Sequence, residues 1–262
     1  MYVAPKEHDV ILSAPREIAQ DIFESKLSCD LSKDMLKPGQ FLNLKVPGDN
    51  SELLRIPLSY AHMEDNEVTI IYQVIGSGTR RLSELPAGTK TNMLAPLGHG
   101  FDIPQDAKRA LLVGGGVGIV PLIPLAEALK EANIAFDVAL GFANADKIYG
   151  MDELKALSED KVHISTDDGS AGYKGFVTKL SQDLIDNNSY DVLYTCGPHI
   201  MMKAVAQQGM AAEIPTQASL ERGMICGFGA CSSCVVKLTN GTYVSACKFG
   251  PVFDASEVDW DE

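Results

Sequence analysis

The sequence predicts a multidomain protein in three parts. These are a β-rich unit of barrel or sandwich type, an α/β unit on a parallel sheet, and a small C-terminal module rich in Gly and Cys. Three observations predict it. Short β-prone runs separated by turn signals fill residues 1 to about 103. After Pro104, strand-like and helix-like runs alternate. Four of the six cysteines crowd into the last quarter of the 262 residues.

In the first part, apolar runs at 41–46 and 68–75 are separated by Pro38-Gly39, Pro47-Gly48 and Pro86-Ala87-Gly88. In the second run Val68, Ile70, Tyr72 and Val74 share one face, and Thr69, Ile71, Gln73 and Ile75 the other, which is the period of a strand. In the second part, a strand at 109–113 ends in Gly114-Gly115-Gly116, and an Ala/Leu-rich helix follows over 121–132. Strands are expected at 135–141, 161–165 and 190–195, with helices at 152–157, 177–185 and 200–208. A segment at 216–220 makes a fifth strand. In the third part, Asn240-Gly241 between β-prone runs at 234–238 and 242–246 predicts a hairpin. The boundaries are then 1–103, 104–220 and 221–262.

With 35 acidic against 22 basic residues, the net charge is −13. That balance argues against nucleic acid and anionic membranes as partners, because both select basic surfaces. No apolar run reaches the roughly 18 residues of a spanning helix. Residues 1–15 lack the basic-then-apolar pattern of a secretory signal, so a cytoplasmic protein is expected. A disulfide framework belongs to small secreted chains, and a cytosolic cluster of four cysteines reads as a metal site.

The spacing is Cys226-x4-Cys231-x2-Cys234-x12-Cys247. It matches the plant-type arrangement in which four thiolates hold a [2Fe–2S] cluster. Three ligands within nine residues force the backbone around one side of the cluster and turn its amides toward the sulfides. Gly223, Gly227, Gly229 and Ala230 permit that approach. The fourth ligand returns from the far side of the hairpin. The competing reading is structural zinc, which favours two compact C-x2-C pairs where this chain has one.

Gly114-Gly115-Gly116-Val117-Gly118-Ile119-Val120-Pro121 follows a strand and precedes a helix, the context in which backbone N–H groups meet a pyrophosphate. Ile119 occupies the third glycine position of the strict dinucleotide fingerprint. The loops Thr166-Asp167-Asp168-Gly169-Ser170 and Thr195-Cys196-Gly197-Pro198 end strands of the same sheet and are placed to share the crevice. After the second strand, residues 141–147 hold no Arg and one Lys beside an Asp, which favours NADH over NADPH. A nicotinamide delivers two electrons and a [2Fe–2S] cluster accepts one, so a flavin is needed to convert between them. The β-rich part offers Arg55-Ile56-Pro57-Leu58-Ser59, Ile71-Tyr72-Gln73 and Gly76-Ser77-Gly78-Thr79.

With these segments in this order, the chain resembles the ferredoxin-reductase superfamily. More narrowly, it resembles the electron-transfer subunit of type B, NAD-dependent dihydroorotate dehydrogenase. The resemblance is carried by the R-x-P-L-S segment, residues 76–82 and 95–101, Gly114 to Pro121, residues 194–198, residues 221–231 and Gly250-Pro251-Val252-Phe253. It implies an FAD-binding antiparallel barrel, an NAD-binding α/β domain and a [2Fe–2S] module. By that resemblance Arg55, Ile56, Pro57, Leu58 and Ser59 lie along the FAD, Ile71, Tyr72 and Gln73 contact it from the next strand, and Gly78 and Thr79 hold its pyrophosphate. Gly114, Gly115, Gly116, Gly118 and Pro121 hold the NAD pyrophosphate, with Cys196, Gly197 and Pro198 near the nicotinamide.

The same resemblance implies a partner. It is an FMN-containing catalytic subunit that oxidises dihydroorotate to orotate in pyrimidine biosynthesis, in a heterotetramer of two plus two. This chain offers no evident base for that substrate. In the dihydroorotate family an Arg stands directly before the Pro, where this sequence has Ile56. The R-I-P-L form and the acidic tail also resemble the small subunit of NADH-dependent ferredoxin:NADP oxidoreductases and sulfide dehydrogenases. An alternative of another class is a zinc-stabilised nucleotide sensor. Among the remaining residues, His99 reads as a turn histidine and Cys29 as a half-buried strand residue. Trp260 reads as an anchor against the barrel or a partner.

Overall fold

The computed structural model describes residues 4–48 and 54–261. The first part is a closed barrel. Its strands are β1 (Lys6–Leu12), β2 (Arg16–Ala19), β3 (Ile22–Ser28), β4 (Phe41–Leu44), β5 (Ile56–Glu64), β6 (Glu67–Gln73) and β7 (Lys90–Leu97), with helix α1 (Ser77–Glu84) between the last two. The antiparallel order β1-β7-β4-β5-β6-β3 is closed by pairing of β1 with β3, which makes six strands, and β2 hangs on the outside of β3. Closure leaves the six-stranded sheet without a free edge of its own. The barrel and not the sandwich is therefore the form. Val10, Leu27, Leu42, Leu44, Val68, Ile70, Tyr72 and Met93 fill its interior.

The second part begins with β8 (Arg109–Gly115), followed by α2 (Leu122–Glu131), β9 (Ala135–Phe142), α3 (Met151–Ser158), β10 (Val162–Thr166), β11 (Tyr173–Lys174), α4 (Val177–Asn187), β12 (Val192–Cys196), α5 (His199–Ala211) and β13 (Thr216–Ser219). The five expected strands form a parallel sheet in the order β10-β9-β8-β12-β13, extended by the short β11 at one edge. Being covered on both faces, the central strands read as apolar runs rather than alternating ones. Leu111, Leu112, Leu122, Leu125, Leu129 and Leu140 are fully buried, each contributing about 1.5–3 kcal/mol of apolar burial.

The C-terminal residues add the hairpin β14 (Val235–Lys237) and β15 (Tyr243–Ser245), the single turn α6 (Ala246–Phe249) and β16 (Val252–Asp254). β16 pairs antiparallel with β13 and so extends the parallel sheet. The tail then folds back: the buried Trp260 donates its indole N–H to the Ala255 carbonyl, and its ring lies 5.3 Å from that of His199 on α5. Trp260 therefore anchors on the α/β unit, not on the barrel. Apolar contacts join the barrel to the rest on two sides. Ile22, Ala61 and Ile71 pack with the residues of α2, and Phe41 and Leu97 pack with Cys234, Cys247 and Phe253. Among the described residues no helix is long and apolar enough to cross a membrane.

Candidate functional site

The cysteine loop runs through successive bends without regular structure. Gly227 (φ +78°) and Gly229 (φ +87°) lie in the left-handed region, where a side chain is strained. Cys234 and Cys247 are buried, Cys226 is half-buried and Cys231 is exposed. The loop turns backbone donors onto sulfur. The Ala230 amide donates to Cys226 Sγ at 3.3 Å, and the Cys247 amide to Cys234 Sγ at 3.4 Å. Burial acts to raise the Cys226 pKa, but amides of Phe228, Cys231 and Ala230 outweigh it and bring the thiol down to about 6. Burial, followed by the neighbouring Cys234, pushes Cys247 up to about 12.

A tetrahedral zinc site with Zn–S near 2.3 Å would bring all four sulfurs within about 3.8 Å of one another. Among the described residues, the group of metal-binding side chains whose atoms fall within 4.8 Å of each other is His62, Glu127 and Glu153, with no cysteine. No three of the four cysteine sulfurs therefore cluster as a single tetrahedral ion would require, and the spacing remains that of an iron–sulfur site.

The glycine segment does not pass directly into a helix. β8 carries Gly114 and Gly115, a 3-10 turn spans Gly116–Ile119, and α2 begins at Leu122 with Pro121 as its cap. A Cβ on Gly118 would lie 2.5 Å from the Cys196 carbonyl oxygen, and one on Gly115 would lie 2.6 Å from Met201 Sδ and 3.0 Å from Pro198. These glycines let the loop after β8 and the loop Cys196-Gly197-Pro198 touch through their backbones. Gly116 (φ +55°) faces open space. The Tyr149 hydroxyl donates to the Gly116 carbonyl at 3.1 Å and steadies the turn. The Cys196 thiol is pushed up to about 12 by burial, so it stays neutral at physiological pH. The two other strand-end loops are tied together, since the Ala145 amide donates to Ser170 Oγ at 2.8 Å.

On β5, Pro57 and Ser59 are half-buried, while Leu58 turns into the barrel and Ile56 packs against that core. Arg55 lies two residues before Pro57, hence on the same side of the chain. Its guanidinium is engaged by Glu7 at 2.8 Å and by the carbonyls of Asn92 at 3.1 Å and Asn43 at 3.4 Å. On β6, Ile71 faces the α/β unit and Gln73 is half-buried, but Tyr72 points the other way, into the barrel, where it stacks on Phe23. Thr79 accepts from the amides of Ile75 and Gly76 and donates to the Gly76 carbonyl. Its hydroxyl therefore caps α1, which leaves backbone amides near Gly78 as the available anion donors.

Two features escaped the sequence reading. Asn43, 1% exposed on β4, donates from Nδ2 to the Cys226 carbonyl at 3.1 Å and so joins barrel to cysteine loop. The available signal was one polar residue in an otherwise apolar strand. His62 on β5 lies 3.3 Å from Glu127 on α2 and 3.4 Å from Glu153 on α3. The two carboxylates raise its pKa to about 10. Nothing local to any of these three residues announces the meeting. His99 is an exposed turn residue bridged to Pro251, and Cys29 follows β3 half-buried, as expected.

The family model of the iron–sulfur cluster binding domain of dihydroorotate dehydrogenase B matches residues 221–259, and that of the oxidoreductase NAD-binding domain matches residues 112–207. The chain is 41% identical over 259 residues to the dihydroorotate dehydrogenase B (NAD(+)) electron transfer subunit of Geobacillus sp. (strain WCH70), covering 97% of this chain and 98% of that one. It is 36% identical over 261 residues to the subunit of the same name from Fusobacterium nucleatum, covering 97% and 99%. Among solved structures, one of an NADH-dependent reduced ferredoxin-NADP oxidoreductase superposes with a TM-score of 0.86 at 33% identity, covering 96% of this chain and 90% of that one. The chain belongs to the family of the electron transfer subunits of dihydroorotate dehydrogenase B (NAD(+)), oxidoreductase subunits, and its cofactors are FAD, an iron–sulfur cluster and NAD.

Proposed function

We propose that this chain carries electrons between a catalytic partner that oxidises dihydroorotate to orotate at an FMN and NAD+, in a cytoplasmic heterotetramer of two plus two. The reaction balances: dihydroorotate gives up two electrons and two protons, NAD+ takes both electrons and one proton, and the other proton enters solvent. FAD, when bound, supplies the exchange between the two-electron nicotinamide and the one-electron cluster.

The residues divide this work. Cys226, Cys231, Cys234 and Cys247 hold the [2Fe–2S] cluster. Arg55, Ile56, Pro57, Leu58 and Ser59 form the strand along the flavin. Arg55 acts by locking that strand to β4 and β7, and Leu58 by anchoring it in the barrel. Ile71 and Gln73 close the neighbouring strand, Tyr72 supports it from inside, and the amides at Gly78 and Thr79 face the FAD pyrophosphate. Gly114, Gly115, Gly116, Gly118 and Pro121 shape the NAD pyrophosphate turn. Cys196, Gly197 and Pro198 form the floor for the nicotinamide, where a neutral buried thiol adds no charge to oppose hydride transfer. The observation that carries the reading is the set of four thiols in the Cys226-x4-Cys231-x2-Cys234-x12-Cys247 spacing, with the loop that holds the first three tied to the barrel by Asn43.

The test is anaerobic co-purification with the native partner, followed by an assay for orotate and NADH from dihydroorotate and NAD+. An FMN-containing partner and orotate formation are expected. A large iron–sulfur partner without orotate would instead place the chain with the ferredoxin:NADP or sulfide-dehydrogenase subunits, a reading favoured by the 0.86 TM-score to that reductase.

A further inference from the structure

Asn43 sits where two parts of the proposed site meet. Along β4, Leu42 and Leu44 fill the barrel, while Phe41 faces outward into the core shared with Cys234 and Cys247. Strand alternation puts Asn43 on that outward face. Its backbone lies opposite Pro57, in the middle of the segment assigned to the flavin. Its side chain holds the carbonyl of Cys226, the first thiol of the cluster loop. A Cβ on Gly227 would stand 2.5 Å from Asn43 Nδ2, so a glycine is needed there both for its φ of +78° and for the approach of the amide.

The other half of the amide is informative. Asn43 Oδ1 is buried and has no hydrogen-bond partner. Flipping the amide would set Oδ1 against the Cys226 carbonyl, acceptor against acceptor, so the orientation is fixed. With the orientation fixed, the amide's donor is committed to the Cys226 carbonyl, and removing it takes a hydrogen bond from the ligand loop.

We propose that Asn43 is a positioning residue for electron exchange, fixing the Cys226 end of the cluster loop against the strand that carries the flavin. The inference rests on the functional reading above. It requires no contact between Asn43 and either cofactor. The side chain holds a carbonyl, and through it the run of amides that includes Ala230 N on Cys226 Sγ. Hydrogen bonds to cluster sulfurs set the potential, so moving this end of the loop changes the spectrum and potential of the cluster as well as the rate.

The experiment uses the holoprotein with FAD and cluster in place, without a partner subunit. In Asn43→Leu the fold survives by circular dichroism, the EPR line shape and midpoint potential of the cluster shift, and cluster reduction after NADH addition slows by about tenfold or more. Asn43→Asp, which keeps the shape but replaces the donor with an acceptor, gives the same shifts, and it carries the test should the leucine variant not fold. Wild-type line shape, potential and reduction rate in either folded variant overturn the proposal. A wild-type protein with no cluster signal overturns it together with the functional reading, whereas a normal signal that ignores residue 43 overturns the proposal alone.

Discussion

Gly118→Ala tests whether the contact between the loop after β8 and the Cys196-Gly197 loop forms the nucleotide platform. The added methyl would lie 2.5 Å from the Cys196 carbonyl oxygen, 2.6 Å from its carbonyl carbon and 2.6 Å from Gly197 Cα. Relaxed carbon contacts fall near 3.5–4.0 Å, so the two loops must part by about 1 Å. All three atoms are backbone, and no side-chain rotation relieves them. The fold cost is that of overpacking, about 1–3 kcal/mol, seen as a thermal midpoint lower by roughly 2–12 °C. The functional cost is larger, because a displacement of this size in a positioning element can reach about a hundredfold. Steady-state NADH oxidation with a dye acceptor, alongside NADH titration of the holoprotein, measures it. The expected result is an NADH KM raised about tenfold or more, with the cluster spectrum intact. An unchanged KM in a variant whose thermal midpoint has dropped would show that the platform supports the fold and not the nucleotide.

Other consequences are as direct. Cys231→Ser should remove the cluster's visible absorption and stop NAD+ reduction by dihydroorotate in the assembled enzyme; electron delivery at the wild-type rate refutes the ligand assignment. His62, held between Glu127 and Glu153, has its pKa raised to about 10, from 6.5. Its stabilising contribution is full below 6.5 and disappears as pH rises through 10. The difference in thermal midpoint between wild type and His62→Gln should therefore shrink steadily across that window, and a difference that grows with pH contradicts the pairing. Arg109→Met strands the Asp137 carboxylate, which is 3% exposed and otherwise accepts from Arg109 at 2.7 Å and from Tyr190 at 2.9 Å. The expected loss is about 2–4 kcal/mol by denaturant titration, set below the roughly 3–5 kcal/mol for breaking a fully buried pair because Arg109 is itself a third exposed. A loss within 0.5 kcal/mol, the span of an ordinary surface change, refutes the pairing.

The α/β unit was legible because its signals are local. Every strand from 109 to 219 that the apolar runs indicate is present, and the helices differ mainly at their ends, where capping decides the boundary. The barrel was half legible. The run at 68–75 alternates clearly, but β1, β2 and β3 mix Lys, Glu and Ser with apolar residues on strands that are partly exposed, and periodicity alone did not register them. Closure through β1 and β3 is a pairing of distant segments that no window of sequence contains. The cysteine cluster was legible from spacing, whereas the burial of Cys234 and Cys247 in a core shared with the barrel required the fold. The Thr79 hydroxyl shows the same limit, since its bonds to Ile75 and Gly76 cap α1 in a local arrangement that the residue types alone do not reveal.

The C-terminal segment explains how three cofactors can hold one geometry without a large interface. It is not appended as a free module. β16 extends the parallel sheet through β13, Trp260 packs beside His199 at the start of α5, and Asp259 pairs with Lys237 at 3.1 Å to bring the hairpin along. From that base, Cys234 and Cys247 enter the same core as Phe41 of the barrel, and Asn43 takes hold of Cys226. Cys234 and Cys247 are thus fixed by apolar burial shared with the barrel, and Cys226 by a single amide two residues along β4 from Phe41. Apolar burial is non-directional and tolerates small shifts, whereas a hydrogen bond to a carbonyl specifies a direction. The exposed Cys231 is five residues beyond Cys226 on the same loop, so the amide on β4 holds the stretch that reaches the surface. A directional link at that stretch, with the rest of the loop left to bends and glycines, ties the orientation of the cysteine loop to β4.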